Sequence, residues 1–226
     1  GVLHTPSQTL IFSDTHIGQE AALNAEGVLI PRMSFQDLCS TTKEMLESAL
    51  PAKVVINGDL KHNFGKISRH EWQHTFKYID MIKEYAPVTL VRGNHDVLVD
   101  PLAEKSQVTV VEHVELDDVF ICHGHKIQDI PETFHTVIIG HEHPAVGITS
   151  SGRTERYKCF LKTRWNNKDL IVLPSMNPLN EGSDLLREQI LSPFLKPLNT
   201  YDFEVYITEG DEILDFGTMR HIKEIS

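Results

Sequence analysis

Five short apolar runs in this chain each lead into a side chain able to bind a metal ion. Residues 10–13 lead to Asp14, 54–58 to Asp59, 89–93 to Asn94, 119–122 to His123 and 137–140 to His141. Each run has the length and β-branched content of a buried strand, so its last residue is expected at a sheet edge beside the other four. Asp14-Thr15-His16 and His141-Glu142-His143 each separate two candidate ligands by one residue. In extended chain alternate side chains share a face, so each pair could address one point. Gly58-Asp59 and Gly93-Asn94-His95-Asp96 add a carboxylate, an amide oxygen and a further imidazole directly after glycines that let the backbone turn sharply.

The chemistry follows from the donor types. All are oxygen or nitrogen, which disfavours soft ions held by thiolates and suits manganese, iron, zinc or magnesium; manganese is the expected ion, with iron, zinc, nickel or magnesium as alternatives. Asp14, His16, Asp59, Asn94, His123, His141 and His143 make seven candidate ligands, too many for one tetrahedral ion. Two divalent ions sharing a carboxylate account for the number, and at roughly 3.5–4 Å apart such a pair can clamp a phosphoryl group and activate water.

The ordered blocks D-x-H, G-D, G-N-H-D, H-G and G-H-x-H, running from Asp14 to His143, resemble the calcineurin-like metallophosphoesterase superfamily. Within it, the contexts S-D-T-H-I-G, I-N-G-D-L-K-H, V-R-G-N-H-D and I-I-G-H-E-H-P, with the later L-P-S-M-N-P-L-N at residues 173–180, look most like small archaeal phosphoesterases related to the nuclease SbcD. The resemblance implies an α/β fold, a two-sheet β-sandwich flanked by helices with a dinuclear metal site at strand ends. It implies one ion on Asp14, His16, Asp59 and His143, and a second on Asp59, Asn94, His123 and His141, with a hydroxide bridging the ions as nucleophile. His95 would face the substrate, stabilising charge or protonating the leaving oxygen, and Asp96 would orient its ring. Asp96 could equally be a local turn carboxylate. His125 shares a face with His123 if the chain stays extended, but the family's ligand precedes glycine, which selects His123. His62 departs from the acidic or aromatic residue of the larger repair nucleases; it either lines the pocket or caps the next helix. His4, His70, His74, His113, His135 and His221 are given no role.

The elements that must hold these residues are also legible. Residues 35–49 carry Leu38, Met45, Leu46 and Ala49 on one helical side, and residues 68–85 carry Trp72, Phe76, Ile79 and Ile82. Alternation of strand and helix predicts a partly parallel sheet early in the chain. After Ala145 longer alternating strands, at 157–165, 170–173 and 203–207, predict a second, mainly antiparallel sheet. Residues 174–197 are the longest irregular stretch, a surface loop by default, with a loop near the site or a dimer contact as alternatives. The length of 226 residues suits one catalytic domain over residues 1–226 without a separate capping domain.

Charge and cysteine content bound the partners. A net charge of −11 argues against a broadly basic nucleic-acid surface, although bound metals would offset the site's carboxylates. One strand qualifies this: Arg156, Lys158, Lys162 and Arg164 share a face, opposite Tyr157, Cys159, Leu161 and Trp165. Such a ribbon could track a phosphate backbone, or be the solvated face of a strand protected by its lysines. Cys39, Cys122 and Cys159 are scattered and odd in number, which suits a reducing compartment. No apolar run reaches membrane-spanning length, and the chain starts at Gly1 with no signal-like segment. The reading is a cytoplasmic metal-dependent phosphoesterase, acting on phosphodiesters with DNA or RNA among the substrates. Phosphomonoesters or cyclic nucleotides are alternatives, as is a scaffold of the same fold without activity. A homo-oligomer is open, no membrane is involved, and nothing supports an ATPase partner.

Overall fold

The apolar runs that lead into candidate ligands are strands, and they divide between two sheets. The computed structural model describes residues 1–28, 30, 33–65, 68–150, 152–209 and 212–225. Its chain separates into two compact units, Gly1–Val114 with Met176–Leu179, and Glu115–Ser175 with Asn180–Ser226.

The first unit runs β1 (Val2–His4), β2 (Thr9–Phe12), α1 (Gln19–Ala25), α2 (Ser34–Ala49), β3 (Lys53–Asn57), α3 (Arg69–Lys83), β4 (Val88–Val91), α4 (Asp100–Ser106) and β5 (Thr109–Val111). Its described strands lie in the order β1-β2-β3-β4-β5, with β1 antiparallel and the others parallel. Parallel neighbours require crossovers, which the helices supply. Phe12 pairs with Ile56 and Ile56 with Leu90, so the carboxyl ends of β2, β3 and β4 lie side by side. Leu10, Phe12, Val54, Ile56 and Leu90 share a buried cluster with Leu38 and Leu46 of α2 and Tyr78, Ile79 and Ile82 of α3. The Tyr78 hydroxyl meets Thr42 Oγ1 at 2.8 Å inside that cluster, and burial pushes its phenol well above the ordinary range.

Both expected helices form. The buried side of α3 is centred on Tyr78, Ile79 and Ile82 and includes Glu71 and Thr75. Trp72 and Phe76 stack on each other at 5.3 Å on its rim rather than occupying the centre. The reason is Glu71, whose carboxylate is buried because it serves the loop before the helix. Ser68 caps α3, its side chain accepting from the Glu71 amide while Glu71 accepts from the Ser68 amide.

The second unit contains β6 (Val114–Leu116, whose first residue belongs to the other unit), β7 (Val119–Ile121), β8 (Thr136–Ile139), β9 (Pro144–Ser150), β10 (Arg153–Trp165), β11 (Lys168–Val172), β12 (Ser183–Asp184), β13 (Glu204–Glu209), β14 (Glu212–Thr218) and α5 (Met219–Ile225). The order is β12-β9-β10-β11-β8-β7-β6, with β13 pairing β10 and β14. After Ala145 the strands pair mainly antiparallel, as expected, but the sheet is mixed and begins earlier in the chain, which corrects its expected start. β7, β8 and β11 are parallel neighbours, while β10 is antiparallel to β9, β11 and β13. A short buried run does not declare which sheet it joins, so β7 and β8 read in sequence like members of the first. Phe120, Val137, Ile139, Leu161, Leu170, Val172, Phe203 and Val205 form the second core. Cys122 and Cys159 lie within it, and burial pushes the Cys122 thiol up to about 12.

The 174–197 stretch is not a plain surface loop. Leu185, Phe194 and Leu195 are buried in the second core, and Glu142, fully buried, accepts the amides of Leu191 (3.0 and 3.1 Å) and Ser192 (2.6 Å). Apolar residues without periodicity gave no sign of this in the sequence. Among the described residues no helix is long and apolar enough to cross a membrane.

Ser68→Ala should cost about 1 kcal/mol, the usual worth of a helix cap, and Ser68→Asp should restore most of it. Urea unfolding of both variants checks this, with equal stability of the alanine variant refuting the cap.

Candidate functional site

In the first unit the β2 and β3 strands stop, but their parallel hydrogen bonding continues into the loops beyond. Asp14 N donates to Gly58 O at 3.1 Å, His16 N to Asp59 O at 2.9 Å, Ile17 N to Leu60 O at 3.0 Å and His62 N to Ile17 O at 2.9 Å. Along this ladder the candidate ligands are not extended, as the alternation argument assumed. Asp14 (φ 58°), His16 (φ 42°) and Asp59 (φ 50°) are left-handed, as are His141 (φ 66°) and His143 (φ 51°) of the second unit. Asp, Asn and His enter that region more readily than most residues, yet each such residue still costs on the order of 1–3 kcal/mol, a cost typical of functional sites.

The Gly93-to-Asp96 turn closes over the Asp59 carboxylate. A Cβ on Gly93 would lie 2.2 Å from Asp59 Oδ1 and 2.3 Å from its amide nitrogen, so only glycine fits. His95 N donates to Asp59 Oδ1 at 2.9 Å, and Gly93 N donates to Asp96 Oδ2 at 3.0 Å. Asp96 thus builds the turn. The His95 ring places Nδ1 on the carbonyl oxygen of His62, a backbone contact that the sequence did not announce. The other oxygen of Asp59, Oδ2, has His16 Nε2 at 3.7 Å and His95 Nε2 at 3.8 Å, beyond hydrogen-bond length. Asp14 and Asp59 are buried and Asn94 is half-buried. Buried carboxylates facing imidazole, with only oxygen and nitrogen donors, fit a hard or borderline divalent ion.

His62 does not cap α3, a task done by Ser68. Its ring joins His16 and His95 in a group whose ring nitrogens lie within 4.8 Å of one another. Burial lowers the His62 pKa, and the neighbouring His95 acts in the same direction.

In the second unit the ends of β7 and β8 bring His123 and His141 together, with ring centroids 5.2 Å apart. His125 lies 5.4 Å from His123 and 6.1 Å from His141, so both members of the His-Gly-His pair border His141. His123 is buried and His125 half-buried. His143 Nδ1 meets Asn180 Nδ2 at 2.7 Å.

Several residues that support these side chains escaped the sequence reading. Asn177, 4 % exposed, donates from Nδ2 to the carbonyls of Thr15 (3.0 Å) and His16 (3.1 Å) and straps the Asp14–His16 loop. Lys61, fully buried, reaches the carbonyls of Asn63 and His95. Asn177 and Asn180 lie in the L-P-S-M-N-P-L-N block, where two amides after a strand were the available signal. Nothing in the sequence marked Lys61 or Glu71 as buried.

The basic strand is engaged within its own unit. Arg156 pairs with Glu188 at 2.6 Å and Arg164 with Asp169 at 2.6 Å. Lys158 donates to Ser175 O at 3.1 Å, and Lys162 lies opposite Glu204.

The sequence model of calcineurin-like phosphoesterases matches residues 7–208. None of the curated proteins matches by sequence. Among solved structures, nuclease MPE of Pseudomonas putida superposes with a TM-score of 0.62 at 19% identity, covering 89% of this chain and 85% of that one. The Escherichia coli phosphoesterase Yfce gives 0.41 at 14% identity, with 96% and 94% covered. Vacuolar Protein Sorting 29 of Cryptosporidium parvum gives 0.38 at 16% identity, with 93% and 97% covered.

Gly93→Ala should destabilise the protein by about 1–3 kcal/mol through overpacking against Asp59 and lower its metal content after loading. Denaturation together with elemental analysis measures both, and unchanged values would mean that the Asp59 loop yields freely. A second expectation concerns Lys158, whose pKa burial lowers from 10.5 to about 8. The unfolded chain binds this proton more tightly, so stability rises as pH climbs from the folded value towards the unfolded one. Lys158→Met should therefore stabilise the protein by on the order of 1 kcal/mol at about pH 7, with the gain shrinking by about pH 10. A gain independent of pH would contradict the assignment.

Proposed function

The chain belongs to the calcineurin-like phosphoesterase family, and from that premise we propose that it hydrolyses phosphodiesters with the help of two divalent ions. Asp14, His16, Asp59 and His143 would hold one ion, and Asp59, Asn94, His123 and His141 the other. Manganese is the favoured metal, with iron, zinc, nickel and magnesium as alternatives that the same carboxylate and imidazole donors suit. When bound, the ions supply positive charge to the phosphoryl oxygens and acidify a water.

The protein's own residues then divide the remaining work. Asp59 is the shared carboxylate, and the observation that carries the reading is its environment: one oxygen fixed by the His95 amide at 2.9 Å, the other between two imidazole nitrogens at 3.7 and 3.8 Å. His95 faces substrate, its ring held through Nδ1 by the His62 carbonyl, which leaves Nε2 for a phosphoryl or leaving-group oxygen. A scaffold has no physical need for a buried carboxylate in such surroundings. The likeness to nuclease MPE and the SbcD-like blocks favour diesters over monoesters, with short DNA or RNA among the candidates. The family match runs through both units, which supports treating residues 1–226 as one catalytic domain. Three free cysteines support a cytoplasmic location.

Metal-stripped protein reloaded with manganese should hydrolyse bis(p-nitrophenyl) phosphate in preference to p-nitrophenyl phosphate. His95→Ala should lose about 100-fold or more in turnover while keeping its metal, whereas Asp59→Asn should lose metal as well. Monoester preference would refute the diester assignment, and no hydrolysis of either ester would refute the enzyme.

A further inference from the structure

Phe64 is a large apolar side chain left outside both cores, 54 % exposed, and its ring lies 3.7 Å from that of His95. Leaving such a ring in water forgoes much of the gain of burying it, so its position beside the substrate-facing imidazole calls for a use. Two more exposed apolar residues, Val97 at 59 % and Leu98 at 45 %, follow His95 in the chain.

Asn63, next to Phe64, and Ser68, at the start of α3, are held by buried charges. Lys61 Nζ bonds the carbonyls of Asn63 and His95. Glu71 takes the Asn63 amide at 3.0 Å, the Asn63 side-chain amide at 2.8 Å and the Ser68 amide at 3.4 Å. Lys61 and Glu71 are both fully buried. Gly18 approaches Glu71 so closely that a Cβ would lie 2.9 Å from its side chain. Next to Phe64, the ring nitrogens of His62, His16 and His95 converge within 4.8 Å, and His62 Nδ1 is buried without a hydrogen-bond partner among the described residues. A polar ligand atom at that convergence and a flat apolar group on Phe64 would be adjacent parts of one molecule.

We propose that Phe64 is a stacking platform for the nucleobase of a nucleoside phosphate ester whose phosphoryl group lies against His62 and His95. The proposal rests on the phosphoesterase reading and names its substrate class. One ring serves one base, the net charge is −11, and among the described residues Arg156 and Arg164 are paired with Glu188 and Asp169. The substrate is therefore a nucleotide-sized ester or a strand end, not a long polymer.

The test is equilibrium binding to the manganese-loaded protein by calorimetry, with thymidine 5′-monophosphate and methyl phosphate as probes that differ in the nucleoside. The nucleotide should bind about 5- to 100-fold tighter, the worth of one base on an aromatic ring. Phe64→Ala should erase that advantage while leaving methyl phosphate affinity unchanged, and Phe64→Trp should retain it. If Phe64 merely packs against His95, both probes weaken together in Phe64→Ala and the ratio stays, which overturns the proposal, as does the absence of any nucleotide advantage in the wild type. Along a ladder of oligothymidylates, affinity should level off after the first one or two nucleotides; a continuing rise that steepens at low salt would overturn the small-substrate assignment. Hydrolysis of bis(p-nitrophenyl) phosphate, run in parallel, reports on the phosphoesterase reading alone. Loss of hydrolysis with the nucleotide advantage intact would sink that reading and not the platform.

Discussion

The short ladder that prolongs the β2–β3 pairing past the strand ends is the constraint on which the first unit's site depends. Two loops of different composition are locked together by amides of Asp14, His16 and Ile17 donating to carbonyls of Gly58, Asp59 and Leu60. With the backbone held from both sides, Asp14, His16 and Asp59 can occupy left-handed conformations that none would keep alone. Their side chains gather as a result of those turns. Gly93 then permits the third loop to lie against Asp59, and the His95 amide completes the arrangement.

Buried charge is the second organising element, and it works through loops rather than helices or strands. Lys61 and Glu71 bind the segment between β3 and α3, while Glu142 collects the amides of Leu191 and Ser192. Burying such groups is costly unless their bonding capacity is met, and here backbone groups of irregular segments meet much of it. Burial raises the Glu142 pKa while the two amides oppose the shift, and burial lowers that of Lys61 against the pull of Asp96, Glu71 and Asp59. These bonds fix Asn63, His95, Leu191 and Ser192, which lie outside helices and strands. The same logic explains Asn177, whose side chain serves two carbonyls of the Asp14–His16 loop.

The second unit solves a related problem with a mixed sheet. Its parallel portion, β7, β8 and β11, aligns the ends that carry His123 and His141, and the long β10 joins it to the antiparallel hairpins. Irregular residues between β12 and β13 complete its core through Phe194 and Leu195, while Asn180 holds the His143 ring. Along the basic strand, Arg164 pairs with Asp169 across the nearby turn and Arg156 with the more distant Glu188.

Motif spacing and apolar runs were enough to identify the strand ends, the candidate ligands, the two long helices and the family. Strands in a buried parallel sheet are forced to be apolar, and metal donors come from a small set of side chains, so both leave a direct trace in composition and order. Other features left none. Left-handed backbone at Asp14 and His141, the close approach of Gly93 to Asp59, and the holding of His95 by the His62 carbonyl depend on hydrogen bonds between segments far apart in the chain. So does the distribution of the five strand ends between two sheets, because a short apolar run pairs wherever tertiary packing offers a neighbour. Local pattern determined which residues could do chemistry; long-range backbone pairing and the burial of Lys61, Glu71 and Asn177 decided how each unit presents them.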